Sequence, residues 1–91
     1  MYNILKYTLD RAKQYGVTVK PSKNIKKKID VIKNNDVIAS VGSPKHYDFP
    51  HYIRDYGIEY ANYRRYLYHK RHAKDIKNVG SNGWWSSVLL W

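Results

Sequence analysis

The residues able to do chemistry in this sequence are cationic and aromatic. Arg64, Arg65, Lys70, Arg71 and Lys74 lie in one stretch, interleaved with Tyr60, Tyr63, Tyr66 and Tyr68, with His69 and His72 nearby. Guanidinium and ammonium groups hold phosphates by charge, while rings stack on bases or pack against protein. A second basic block carries Lys20, Lys23, Lys26, Lys27 and Lys28 with no acid among them. A solvated loop is its simplest reading. The competing reading of the first stretch is a tyrosine–leucine core stripe, its arginines snorkelling outward or pairing with Asp48, Asp55 and Glu59. That pairing is limited, because 17 Lys plus Arg face 7 Asp plus Glu. The candidate contacts to nucleic acid or an acidic partner are therefore Lys23, Lys26, Lys27, Lys28, Arg64, Arg65, Lys70, Arg71 and Lys74.

Other chemistries lack their residues. With no cysteine there is no disulfide, thiolate zinc site or cysteine nucleophile. His69 and His72 share a helical spacing, and His46 or His51 is a possible third metal ligand, but no motif supports a metal site. The glycines at 16, 42, 57, 80 and 83 are scattered and form no phosphate-cradling loop. No Gly-x-Ser-x-Gly elbow occurs. His51, Tyr52 and Arg54 suggest a nuclease only by residue type, since their spacing matches no motif. A non-enzymatic binding protein without cofactor or metal is expected.

The charge of +10 and a pI near 9.8 on 91 residues predict polyanionic or acidic partners. A hydrophobic fraction of 43% is too high for a disordered basic tail. No apolar run approaches the ~20 residues that cross a bilayer, and residues 1–6 do not read as a secretory signal. One small domain over 1–91, intracellular or particle-bound, is the expectation.

The elements that must position these groups read as α+β. A helix over 2–15 is predicted from Ile4, Leu5, Leu9 and Ala12, with Asn3 as cap and Gly16 as terminator. Ile29–Lys33 and Val37–Val41 are β-branched runs around Asn34-Asn35-Asp36, a β-hairpin signal. A lone hairpin is marginal, so Val17–Val19 is the candidate third strand of an antiparallel sheet. Pro50 suits a helix start with Asp48 or the Phe49 backbone as its cap. A long basic helix follows over 58–75, then a flexible joint at 80–83. The tail from Trp84 to Trp91 is apolar apart from Ser86 and Ser87. It either closes the core or docks on a partner, which makes Tyr60, Tyr68, Trp84, Trp85 and Trp91 the candidate interface residues.

Beyond residue 17 the string Ile38-Ala39-Ser40-Val41-Gly42, Tyr47-Asp48-Phe49-Pro50, Arg64-Arg65, Tyr68, Arg71-His72, Gly83-Trp84 and Leu89-Leu90-Trp91 resembles a family. It is similar to small basic proteins of large double-stranded DNA viruses and some phages. The resemblance carries over no catalytic residue and implies a viral setting, with a virion or DNA-associated role. The leading expectation is a minor or cement-type capsid component whose basic face meets capsid protein, another virion protein or packaged DNA. Its places would be the virion and the host cell interior during infection. A sequence-independent nucleic-acid-binding protein is the alternative, which the charge and the Tyr–Arg interleaving support equally.

Overall fold

Asn34 and Asn35 set the shape of the sheet. In the computed structural model, which describes residues 2–91, both adopt positive φ (52° and 67°). That two-residue turn has the twist of the antiparallel strands it joins. It connects β1's neighbour β2 (Ile29–Lys33) to β3 (Asp36–Val41), with Lys33 opposite Asp36, while β1 (Thr18–Pro21) pairs with the other edge of β2. The result is a three-stranded antiparallel sheet in the order β1-β2-β3. Asp36, expected in the turn, is the first residue of its strand. Pro21 ends β1 on an edge strand, where its missing N–H costs no ladder bond. Ile38 is an extra residue, because Val31 faces Ala39 while Ile32 faces Val37. This bulge leaves Val37 and Ile38 exposed.

Four α-helices flank the sheet: α1 (Lys6–Gln14), α2 (Phe49–Tyr56), α3 (Ile58–Arg71) and α4 (Asn82–Leu89). The first is shorter than expected. Leu5 sits at its cap without a side-chain bond, so Asn3 does not cap it. Asp48 caps α2 by accepting from the His51 backbone N–H, with Pro50 in the first turn. Helix α3 stops at Arg71 instead of residue 75, and a 3₁₀ turn at Asp75–Lys77 follows. The stop redirects the chain so that α4 can pack back. Gly83 then lies so close to Asp75 that a Cβ there would fall 2.7 Å from the Asp75 Cβ. Only the first half of the expected joint at 80–83 lies outside a helix: Asn82 and Gly83 open α4, with Ser81 as N-cap accepting from Trp84 N–H.

The apolar tail completes the core. Trp85, Leu89, Leu90 and Trp91 are buried with Val19, Ile29, Val31, Val41, Phe49 and Ala61. Three hydrogen bonds, two from α1 and one from the start of α2, hold it there. Thr8 Oγ1 donates to the Leu89 carbonyl (2.9 Å), Arg11 Nε to that of Val88 (2.8 Å) and Phe49 N–H to that of Leu90 (3.0 Å). Those carbonyls are the ones a helix end leaves unpaired. Among the described residues no helix is long and apolar enough to cross a membrane.

Candidate functional site

Lys26 and Lys27 do not sit on a free loop. Their turn is fixed by Asn24, whose carbonyl accepts from Lys27 N–H (2.9 Å) and whose Oδ1 accepts from Lys26 N–H (2.9 Å). Ser22 Oγ in turn accepts from Asn24 N–H (3.0 Å) and donates to Asp30 (2.6 Å), which Ser40 Oγ also meets at 2.7 Å. The hydrogen bonds from Ser22 and Ser40 outweigh burial and hold the Asp30 carboxyl below its ordinary range.

The next lysine turns inward. Lys28 is buried and its Nζ lies 2.9 Å from Asp48 Oδ2, inside the fold. Burial pushes the Asp48 carboxyl up, but the Lys28 charge and bonds from Tyr2, Lys28 and His51 prevail and hold it low. The Tyr2 hydroxyl is raised by its burial and by the carboxylate it bonds. Lys28 therefore anchors the loop and is removed from the candidate contact surface. A lysine with a single buried counter-charge is spent on that pair.

Arg71 and His72, at the end of α3, line the same cleft as the Lys26–Lys27 turn, together with Asn82 and Ser86 of α4. The cleft holds about 510 Å³, and its floor is made of the buried Leu90, Trp91 and Tyr68 with the half-buried Gly42. Part of the floor is aromatic. Trp91 stacks on Tyr68 with centroids 4.4 Å apart and planes 5° from parallel, and the His72 ring lies 4.5 Å from Tyr68. Tyr68 donates to Ser86 Oγ (3.2 Å), and burial raises its hydroxyl. Among the described residues the lining has one acidic side chain, Asp75, which is 3.4 Å from His72 Nδ1. Among the described residues Lys26, Lys27 and Arg71 form no ion pair. The cleft thus carries unneutralised positive charge over a flat apolar base.

The remaining candidates are distributed differently. Lys23 is exposed on an adjoining recess with Tyr2 and Pro44, which shares Lys27 and Lys28 with the cleft. Lys70 is exposed beside Arg64 and Arg71, and Lys74 is exposed beyond the end of α3. Arg64 lies over the Tyr52 ring (5.4 Å) and Arg65 over Phe49 (4.6 Å), both half-buried. Tyr60 is exposed. Tyr68, Trp85 and Trp91 are buried in the protein's own core, and Trp84 is half-buried edge-on to Tyr15 at 5.4 Å. These four are therefore internal packing groups, because closing the core claims their area first.

Ser43, Asn82 and Ser86 line the cleft although the sequence marks none of them as a binding residue, and His46, a possible metal ligand by sequence, lines it too. The spacing of Asn82 and Ser86, one helical turn apart, was the available signal, masked by reading 80–83 as a joint. Burial, then the charge of Arg65, lowers His69, opposed by a bond to the Trp91 backbone. Among the described residues no three His, Cys, Asp or Glu side chains converge as metal ligands. No protein-family model, curated protein or solved structure matches the chain.

Proposed function

We propose that this chain is a non-enzymatic binding module that holds nucleic acid by its phosphates, without sequence preference. One observation carries the reading: two basic segments distant in sequence meet on the rims of one cleft, and Lys26, Lys27 and Arg71 are not neutralised there. Phosphate contacts position a nucleic acid but carry no base information, which is what lysines on a loop and one arginine at a helix end supply. The net charge of +10 adds long-range attraction.

A second reading is a minor capsid component whose partners are capsid or other virion proteins. The resemblance to small basic viral proteins supports it, and so do Val37 and Ile38, 58% and 45% exposed on the hairpin.

Fluorescence anisotropy of a labelled oligonucleotide across a salt series tests the first reading. Each phosphate neutralised contributes a slope of about −0.9 in log K against log salt on duplex DNA and about −0.7 on a single strand. The Lys26→Ala/Lys27→Ala/Arg71→Ala variant is expected to lose affinity and to flatten that slope by about two units on a single strand and nearly three on a duplex. An unchanged slope and affinity refute the cleft as a phosphate site. Retention of the protein in purified particles after nuclease and high salt would favour the capsid reading.

A further inference from the structure

We infer that the nucleic acid is single-stranded and that its bases lie on a row of exposed tyrosines continuing the cleft along α2 and α3. The inference rests on the cleft's being a phosphate site and adds the kind of strand it takes.

The row begins at the cleft itself. Tyr47 lines the cleft, and its ring lies 5.1 Å from Tyr52 and 6.0 Å from Tyr56. Tyr56 meets Tyr60 at 5.3 Å, and Tyr60 meets Tyr63 at 6.3 Å. Gly57, at φ 91°, joins the two helices so that the row passes from α2 to α3 without a break. Tyr56, Tyr60 and Tyr63 are 62%, 44% and 56% exposed. They are not core residues turned slightly outward: the buried residues of α2 are Phe49 and Pro50, and those of α3 are Ala61 and Tyr68.

The chemistry of the occupant follows from what a tyrosine face can gain. In a duplex each base is covered above and below by its neighbours, and only phosphates and groove edges remain to contact. An unpaired base presents its π-face, which every base has, so ring stacking is tolerant of sequence. The cations bordering the row fit the same strand. Arg64 lies over Tyr52, between the row and the recess that Arg71 shares. Asp55, the acid bonded to Tyr47, is offset by Arg54 at 2.7 Å. Phosphates in the cleft and bases on the tyrosines thus use two adjoining surfaces of opposite character.

The test compares the full chain with two variants on a thymidine homopolymer and on a blunt duplex of equal length. The parent is expected to bind the single strand more tightly at equal salt. Tyr56→Ser/Tyr60→Ser/Tyr63→Ser removes the rings at exposed positions. It should lose roughly tenfold or more on the single strand, with its salt slope kept and its duplex binding unchanged. Tyr56→Phe/Tyr60→Phe/Tyr63→Phe keeps the rings and should bind as the parent does. A serine variant that binds the single strand normally, or that loses single strand and duplex equally, overturns the inference. So does one that binds normally yet fails to enter particles, since the row then serves a protein partner. In each of those cases an altered Lys26/Lys27/Arg71 variant leaves the cleft reading standing, whereas an unaffected one refutes the cleft instead.

Discussion

Replacing Asp48 by alanine removes the acceptor on which four contacts converge: Tyr2 Oη, Lys28 Nζ at 2.9 Å, His51 N–H at 3.3 Å and His51 Nδ1 at 2.6 Å. Two of these losses set the magnitude. An N-cap carboxylate is worth about 1 kcal/mol to its helix. Leaving a buried cation without its partner costs about 3–5 kcal/mol, and the Lys28 side chain is 5% exposed. The two costs overlap, since one carboxylate serves both, so the expected loss is about 4 kcal/mol. Small domains have roughly 5–15 kcal/mol in total. At ~4–8 °C per kcal/mol for a chain of this size, the melting temperature should fall by about 15–30 °C. Urea and thermal unfolding followed by tryptophan fluorescence would read it, because Trp85 and Trp91 are buried. Asp10→Ala is the control. Its pair with Lys6 is exposed on both sides, and its loss should cost less than about 0.5 kcal/mol. Adding Lys28→Met to Asp48→Ala should recover part of the loss by removing the stranded charge. An Asp48→Ala protein within about 1 kcal/mol of the parent would refute the account of a buried ion pair that organises the fold.

The same network predicts acid lability. Burial raises the Asp48 carboxyl, but Lys28, Tyr2 and His51 outweigh it, so its folded value lies below the unfolded one. Its stabilisation is therefore full above the ordinary carboxylate range, about 3.9, and disappears as pH falls through the folded value. Asp30 acts in the same direction. His69, lowered mainly by burial, starts the decline earlier, because below about pH 6.5 the unfolded chain takes up its proton more readily. Urea midpoints should thus slip slightly between about pH 7 and 5 and steeply below about 4; a midpoint unchanged down to pH 3 would contradict this. Gly42→Ala should cost about 2–4 kcal/mol in the same assay, combining a positive φ of 89° with a Cβ 2.8 Å from Leu90 Cδ1. Gly16→Ala, where φ is 70° and nothing lies within 4 Å, should cost only about 1 kcal/mol, and equal costs would show that packing at Gly42 does not matter.

The elements that were legible in the sequence are those decided by neighbours along the chain. Val37–Val41 and Ile29–Lys33 read as a hairpin because β-branched runs flank Asn34-Asn35, residues that tolerate the positive φ the turn requires. Asp48 read as a cap and Pro50 as a first-turn residue for equally local reasons. The α+β class follows from those segments. What the sequence left open depends on groups far apart in it. Lys26, Lys27 and Lys28 are consecutive, chemically alike and all border the cleft, yet two keep their charge unpaired and the third is buried against Asp48. Only the position of Asp48, across the fold, makes that difference. Arg71 and His72 read as continuing a helix to residue 75, because nothing local forbids it. The helix ends there so that Gly83 can pack on Asp75 and α4 can reach Thr8, Arg11 and Phe49. Trp84, Trp85 and Trp91 suit a core first and an interface second, and the sequence leaves both open, since apolar area is not directional. Which surface they cover was decided by the carbonyls and rings of the tertiary structure. Trp91 lies flat on Tyr68 and becomes the floor of the cleft.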